Sequence, residues 1–178
     1  MLQRQGWDVI TPRGQGCCGA LYAHSGQLAK ARECARRNIA AFEDQALDAI
    51  IINPAGCGST LVEYGELLQG DPAWAERAEA FSAKVEDLVT WLDESRFAVS
   101  GSDEKVTYHD ACYLGRHNDI YDAPRNVLDS VIIEKSNYIE LEQSKSSSFC
   151  CGAGGGNMWL DDSQGEMANN IRMEQIIN

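Results

Sequence analysis

The chain has 178 residues, of which 44% are hydrophobic and 24% are charged, a composition typical of a soluble globular protein. Its formal net charge of −12 argues against a nucleic-acid or anionic-membrane surface, because no basic patch stands out against that background. No apolar run approaches the roughly 20 residues that span a bilayer, and the N-terminus lacks the apolar segment of a signal peptide, so we expect a cytoplasmic protein.

Strands and helices are predicted to alternate along the first half of the chain. Apolar residues recur at intervals of three and four over 25–44, which predicts an amphipathic helix with Ser25 as its N-cap. The continuous apolar run at 49–52 is typical of a buried parallel strand. The predicted elements in order are a strand over 7–11, a loop over 12–19, a helix from Ser25 to about Asp44, a strand over 49–52, a helix through Leu61 and Leu68, and a helix over 72–93.

A polar, turn-rich stretch at 96–104 is the best candidate for a domain boundary, and the alternation of strands and helices resumes after it. The second half predicts a strand over 105–108, a helix over 124–131, a strand over 138–141 and a terminal helix over 163–178. This alternation predicts an α/β fold with short, mostly parallel sheets flanked by helices. We expect two similar layered lobes, residues 1–96 and 104–178, related by a pseudo-twofold.

The cysteines carry the strongest functional signal. There are seven, an odd number, and four of them form two adjacent pairs, in Cys17-Cys18-Gly19 and Cys150-Cys151-Gly152. Adjacent cysteines are poor disulfide partners, and disulfides are seldom kept in the cytosol, so metal or redox chemistry is the better explanation. Neighbouring side chains on an extended backbone point to opposite sides, so both thiols can reach one metal group only at a turn, which the glycines allow.

Four segments resemble one family of cysteine-rich proteins. Residues 15–21 (QGCCGAL) and 53–59 (NPAGCGS) are similar to the iron–sulfur subunit of glycolate oxidase. Residues 108–118 (YHDACYLGRHN) and 150–159 (CCGAGGGNMW) are similar to heterodisulfide reductase subunits of the D type. The box of this family consists of a cysteine, a long spacer, Cys-Cys-Gly, a second long spacer and Cys-x-x-Cys, and it is usually present twice.

The resemblance implies that the cysteines are ligands of a metal group. The ligands it implies are Cys112, Cys150 and Cys151 in one box, with Cys17, Cys18 and Cys57 as a second, weaker site. Pro54 stands where the family has the first cysteine of Cys-x-x-Cys. The other missing cysteines would fall before residue 1 and after residue 178, so we expect the chain to be a piece of a larger protein, cut within both boxes.

For the cofactor, the resemblance implies an iron–sulfur cluster of the 4Fe-4S type, and thiolates are the soft ligands that such clusters prefer. Zinc is the alternative, since three thiolates can hold it with a fourth ligand from water, histidine or aspartate. The cluster hypothesis predicts that the sulfurs of Cys112, Cys150 and Cys151 lie within one cluster's reach of each other. We expect the site residues to converge where the two lobes meet.

Four further residues are candidates for supporting the site: His109, Asp110, His24 and Gly152. His109 could be a ligand or handle a proton, but a hydrogen-bonded histidine at a strand end is the favoured interpretation. Asp110 could orient a ligand, although a helix N-cap is favoured. Cys34 lies within a predicted helix and fits neither box, so we expect it in the core.

The resemblance implies a non-autonomous oxidoreductase: an iron–sulfur electron-transfer subunit of a 2-hydroxy-acid dehydrogenase of the glycolate or lactate type, or of a heterodisulfide reductase-like complex. Electrons would pass from a flavin-containing dehydrogenase subunit, with other iron–sulfur subunits, to a quinone or a disulfide. Such partners could hold the protein at the cytoplasmic face of the membrane. The alternative is a zinc-binding or metal-free module that docks on such a complex. A thiol–disulfide oxidoreductase is disfavoured because the chain contains no Cys-x-x-Cys.

Overall fold

The computed structural model describes residues 2–94, 101–159 and 167–177. By its internal contacts the chain divides into two compact units, Met1–Asp87 and Leu88–Asn178. Each unit combines short helices with a small parallel sheet. In the part of the chain that the structure describes, no helix is both long enough and apolar enough to cross a membrane.

The first unit pairs two short strands among helices. Its elements in order are α1 (Ala20–His24), α2 (Leu28–Phe42), β1 (Ile50–Ile52), α3 (Ala55–Val62), α4 (Tyr64–Leu68), α5 (Ala75–Ser82) and β2 (Val85–Asp87), preceded by a 3-10 turn at Leu2–Gln5. The strands run parallel, with Ile50 opposite Val85 and Ile52 opposite Asp87. A helical crossover therefore connects them, as expected for parallel neighbours.

The parallel strand predicted at 49–52 is confirmed as β1, although only Ile50 of its three residues is buried. The single helix predicted over 72–93 is wrong. The chain forms α5, turns at 83–84, and enters β2 before the next helix begins. Apolar residues continue at helical spacing through this segment, so the sequence pattern alone hides the strand. Pairing with β1 decides the outcome, because the amide of Ile50 donates to the carbonyl oxygen of Lys84 at 2.7 Å.

Two predictions near the N-terminus are also wrong. Residues 7–11 form no strand, and most of their apolar side chains are exposed. Ser25 does not begin the long helix; it ends α1, where its hydroxyl donates to the carbonyl oxygen of Leu21 at 2.8 Å. Gly26 follows with a φ of +75°, which interrupts the helical path, and α2 begins at Leu28.

The core of the first unit surrounds Tyr64, which is fully buried although it carries a hydroxyl. Its ring stacks on Phe81 with the centroids 5.5 Å apart, and Phe81 meets Phe42 edge to face at 5.8 Å. The predicted loop over 12–19 is confirmed, and its Cys18 belongs to this same core. The first cysteine pair is therefore anchored on packed helices.

The second unit also contains a short parallel pair. Its elements in order are α6 (Leu88–Glu94), β3 (Val106–Thr107), a π-helical turn (Tyr113–His117), α7 (Asp122–Val131), β4 (Tyr138–Ile139) and α8 (Ala168–Ile177), with 3-10 turns at Lys135–Asn137, Lys145–Ser147 and Gly154–Trp159. β3 lies parallel to β4, with Val106 opposite Tyr138 and Thr107 opposite Ile139. A further parallel bridge joins Ser102 to Ile132.

The predicted fold class, helices with short parallel sheets, is confirmed. The strands predicted at 105–108 and 138–141 and the helix predicted at 124–131 are present, with ends shifted by up to two residues. The predicted boundary at 96–104 falls partly on residues 95–100, which lie outside the described residues, as does the start of the predicted terminal helix. The pseudo-twofold relation between the lobes stays a prediction.

Candidate metal centre

Both Cys-Cys-Gly segments fold into the same kind of turn. The glycine has a positive φ in each, +87° at Gly19 and +78° at Gly152, a conformation that other residues rarely adopt. The glycine amide donates to the sulfur of the first cysteine, at 3.4 Å to Cys17 Sγ and at 3.3 Å to Cys150 Sγ. Each turn therefore directs an N–H at a sulfur that would carry negative charge as a metal ligand.

In the second unit, the three cysteines of the box border one cavity. Cys112 follows β3 and precedes the π-helical turn, while Cys150 and Cys151 follow the 3-10 turn at Lys145–Ser147. His109 borders the same cavity. The cavity volume is about 10 Å³, which is room for one water molecule. The structure thus brings together the three thiols that the sequence predicts as one ligand set.

Arg116 in the π-helical turn binds the backbone just before Cys150. Its Nε and Nη2 donate to the carbonyl oxygen of Ser146 at 3.1 and 3.0 Å, and Nη2 also donates to that of Ser148 at 2.7 Å. Ser148 is buried, and its hydroxyl donates to the carbonyl oxygen of Asp110 at 3.3 Å. The backbone before Cys150 is therefore tied to the backbone before Cys112.

Asp110 is a buried carboxylate, and its predicted role as a helix N-cap is wrong. Both of its oxygens accept from Arg125 at 2.8 Å, and one also accepts from the amide of Lys145 at 2.7 Å. Burial alone would raise the pKa of Asp110, but these hydrogen bonds outweigh it and hold the pKa below its usual value. Arg125 in turn donates twice to Glu140 at 2.7 Å, so Asp110 ties the end of β3 to α7 and to the chain after β4.

His109 is held by Arg172 from α8. The Nε of Arg172 donates to His109 Nδ1 at 2.9 Å, which confirms the hydrogen-bonded histidine that the sequence favours. Burial first, and then the positive charge of Arg172, lower the pKa of His109 below its usual value. The imidazole is therefore neutral at the cavity wall, beside a buried guanidinium.

The first unit brings Cys57 against Cys18. Cys57 packs against the core cluster that contains Cys18, and burial raises the pKa of Cys18 to about 12, so this thiol is protonated at neutral pH. Cys17 is exposed, and His24 is exposed at the last position of α1. Cys34 is buried in α2, as predicted. The first box is thus a weaker candidate than the second.

A buried polar pair in the first unit holds the Cys17-Cys18 backbone. Asn38 accepts from the amide of Gly16 at 2.8 Å and donates to the carbonyl oxygen of Cys17 at 3.1 Å. It also donates to the hydroxyl of Tyr64 at 2.9 Å, and that hydroxyl donates to the carbonyl oxygen of Cys18 at 2.8 Å. Two side chains therefore fix three consecutive residues of the turn from within the core.

The geometry of both turns agrees with a family match. The family model of the cysteine-rich domain, CCG, matches residues 1–62 and 106–178. The chain belongs to the CCG family. Each matched segment contains one Cys-Cys-Gly turn, and together they contain all six cysteines predicted as ligands. The predicted family resemblance is thereby confirmed.

Relatives of this CCG chain are larger proteins. It is 41% identical over 159 residues to the probable glycolate oxidase iron-sulfur subunit of Bacillus subtilis, a match covering 87% of this chain and 35% of that protein. It is 46% identical over 80 residues to the EtfAB:quinone oxidoreductase of Syntrophomonas wolfei, covering 41% of the chain and 11% of that protein.

A third relative is lactate utilization protein A of Geobacillus kaustophilus, which is 31% identical over 158 residues, covering 87% of the chain and 63% of that protein. The chain therefore spans about a third of the glycolate oxidase relative and less than two thirds of the lactate utilization protein. No solved structure matches the chain.

As a donor set, the CCG cysteines of the second unit fit an iron–sulfur cluster, because three free thiols border one space. They form no ready site for a single ion: among the described residues, no three His, Cys, Asp or Glu side chains lie together so as to hold one. Cys112, Cys150 and Cys151 are the residues that would hold such a cluster. Because the cavity admits only one water, its walls must move apart to admit a cluster.

The residues that hold the CCG turns were not predicted from the sequence. They are Asn38 and Tyr64 in the first unit, and Arg116, Arg125 and Arg172 in the second. One of them carried a detectable signal: Asn38 falls seven residues after Ala31, on the apolar face of the predicted helix, where a polar residue is buried and needs partners.

Replacing Gly19 or Gly26 by alanine compares two costs to stability: the strain of a positive φ, which both positions have, and the steric crowding, which only Gly19 has. Both have a positive φ, +87° and +75°. A Cβ on Gly26 would meet nothing within 4 Å, whereas one on Gly19 would lie 3.1 Å from Cys34 Cβ and 3.3 Å from the carbonyl oxygen of Ala31. We expect Gly26→Ala to cost about 1 kcal/mol of unfolding free energy and Gly19→Ala about 3 kcal/mol, because overpacking adds to the backbone cost.

Urea unfolding followed by circular dichroism measures both variants. Equal losses for the two substitutions would show that the turn has room to relax and is not pressed against α2.

Proposed function

We propose that the chain is the cysteine-rich part of an iron–sulfur electron-transfer subunit, in a complex that oxidises a 2-hydroxy acid of the glycolate or lactate type. The observation that carries the proposal is the meeting of Cys112, Cys150 and Cys151 at one cavity in a CCG-family chain. Relatives named as a glycolate oxidase iron-sulfur subunit and as a lactate utilization protein support the cofactor and the substrate class.

In this proposal Cys112, Cys150 and Cys151 hold a cluster of the 4Fe-4S type, which when bound supplies one-electron storage and transfer. The amide of Gly152 donates to Cys150 Sγ and would stabilise the negative charge of that ligand. Arg116 and Asp110 hold the two backbone segments that present the thiols.

The first unit is proposed as a second, weaker site, with Cys17, Cys18 and Cys57 as its thiols. Pro54 occupies the position at which the family's box has a further cysteine, so this site has fewer thiol ligands of its own. The packing of Cys57 against the core that contains Cys18 supports their assignment to one site.

The proposed electron donor is a flavin-containing dehydrogenase subunit, acting with other iron–sulfur subunits, and the acceptor is a quinone or a disulfide. A relative named EtfAB:quinone oxidoreductase favours the quinone. We propose a cytoplasmic location, at the membrane face through these partners, because all seven thiols are free and the cytosol keeps thiols reduced.

The test is the iron and acid-labile sulfide content of the full chain purified without oxygen, together with its visible spectrum. We expect iron and sulfide in equal amounts and a broad absorbance that bleaches on reduction. Cys112→Ala, Cys150→Ala and Cys151→Ala are each expected to lose most of the iron held by the second unit. Cys34→Ala is the matched control, since Cys34 is buried in α2 and belongs to neither box.

Two outcomes would overturn the proposed cofactor. Stoichiometric zinc without iron would support the structural docking module instead. A chain that stays colourless after reconstitution with ferrous iron and sulfide would show that these thiols hold no cluster. If all three cysteine variants of the second unit retain their iron, the cluster is not held by Cys112, Cys150 and Cys151.

A further inference from the structure

Arg172 is a buried charge outside both cysteine boxes. It lies in α8 and is only 3% exposed. Beyond its bond to His109, its Nη1 donates to the carbonyl oxygen of Gln143 at 3.2 Å and to Gln175 Oε1 at 2.9 Å. Burying a guanidinium is costly unless its N–H groups are partnered. Here every nitrogen has a partner, and one of those partners is an imidazole at the cavity.

The helix that carries Arg172 lies directly against the Cys-Cys-Gly turn. A Cβ on Gly152 would stand 3.0 Å from the amide nitrogen of Asn169 and 3.4 Å from Ala168 Cβ, so the first turn of α8 touches the turn closely. Arg172 Nη2 also donates to the hydroxyl of Ser148 at 3.4 Å. α8 therefore contacts the chain on both sides of Cys150 and Cys151.

The bond between Arg172 and His109 determines where the imidazole carries its proton. A guanidinium donates hydrogen bonds and accepts none. His109 Nδ1 must therefore be the acceptor and be unprotonated, which leaves the ring neutral with its proton on Nε2. His109 borders the cavity together with the three cysteines, and its one remaining polar group is an N–H donor.

We propose that Arg172 positions His109 as a fixed Nε2–H donor to sulfur at the Cys112, Cys150 and Cys151 site, and that this hydrogen bond raises the reduction potential of the site. The inference rests on the proposed function, because it needs a cluster at these cysteines. Reduction adds negative charge, and a hydrogen bond to sulfur stabilises the more negative state. Arg172 acts only through His109 and is therefore a positioning residue.

The first measurement uses the metal-free full chain and needs no cluster. Its ¹⁵N-histidine NMR spectrum contains three imidazoles, and His109→Gln identifies the signals of His109. At pH 8 we expect wild-type His109 as a single tautomer with Nδ1 unprotonated, and Arg172→Met to show a mixture of both tautomers. Gln175→Met is the control, because it removes another partner of Arg172 from the same helix and should leave the tautomer unchanged. A mixture in the wild type would overturn the proposal.

The second measurement is the reduction potential of the cluster-loaded chain. We expect His109→Leu to shift it to more negative values and His109→Gln to stay close to the wild type, because the amide of glutamine keeps an N–H near the position of Nε2. Both variants retain Arg172, so its charge does not confound them, and they keep the proposal testable if Arg172→Met fails to fold. Equal potentials in wild type and His109→Leu would overturn the inference while leaving the proposed cluster intact.

Failure to load any cluster would overturn both the proposed function and the effect on potential. The tautomer measured without metal would still report separately whether Arg172 fixes the ring of His109.

Discussion

Replacing Asp110 by asparagine is expected to lower the unfolding free energy of the second unit by about 3 kcal/mol, the lower end of the cost of breaking a buried ion pair. Asp110 is 4% exposed and accepts from both terminal nitrogens of Arg125 and from the amide of Lys145. An amide of the same size removes the negative charge and turns an N–H toward these donors. The loss stays near the lower end because Glu140 still pairs with Arg125.

Urea unfolding gives the overall loss, and hydrogen exchange along the chain should show it concentrated at the segments before Cys112 and Cys150. Asp122→Asn is the matched control: Asp122 pairs with Lys145 at 2.9 Å, but its side chain is 78% exposed, so its removal should cost less than about 1 kcal/mol. A loss of similar size in both variants would mean that the Asp110–Arg125 pair does not hold the cavity wall.

The parts of the fold that could be predicted are those in which local pattern and tertiary environment agree. The isoleucine run of β1 forms a strand with Ile50 buried, and the helix at 124–131 is present. β2 could not be recognised, because its three residues fit a helical and an extended pattern equally well and only the ladder to β1 distinguishes them. The strand predicted at 7–11 fails for the opposite reason: within the described part of the chain no strand pairs with it, and Trp7, Val9 and Ile10 are exposed.

The thiols of the candidate site could be predicted, and their supports could not. Cysteines are rare and their spacing is a strong pattern, so Cys112 and the later pair could be proposed as one ligand set, and all three border one cavity in the structure. Arg116 and Arg172 resemble solvated charges in sequence, because nothing local marks partners that lie 32 and 63 residues away. Long-range polar pairing is decided by the packed fold and has no local periodicity.

The two units hold their Cys-Cys-Gly turns by different means. In the first, neutral groups within the aromatic core bind the backbone of the turn, through Asn38 and Tyr64. In the second, Arg116 and Arg172 bind the segment before Cys150 from the π-helical turn and from α8. The second arrangement therefore uses charged donors, whereas the first uses an amide and a phenol. Burial raises the pKa of the Cys18 thiol in the first unit to about 12.

Replacing Asn38 by alanine is expected to cost the first unit about 3 kcal/mol, since two backbone groups of the turn lose their side-chain partner at about 1–3 kcal/mol each. These groups are the amide of Gly16 and the carbonyl of Cys17. The hydroxyl of Tyr64 also loses its donor, although it still donates to the carbonyl oxygen of Cys18, and Asn38 itself is 3% exposed. Urea unfolding measures this loss. At urea concentrations below the unfolding transition, Cys18 of the variant should be alkylated faster than in the wild type, because its turn opens.

The loss in Asn38→Ala is compared with the losses in two other variants, Asn126→Ala and Tyr64→Phe. Asn126→Ala removes an exposed bond to Asp93 at 2.9 Å and should cost less than about 1 kcal/mol. Tyr64→Phe keeps the ring in the core but removes the donor to Cys18, and we expect a loss of about 2 kcal/mol. Because Asn38 and Tyr64 share a hydrogen bond, the double variant should lose less than the sum of the two single losses. Strict additivity would mean that each side chain holds the turn independently, and that the pair does not act as one clamp.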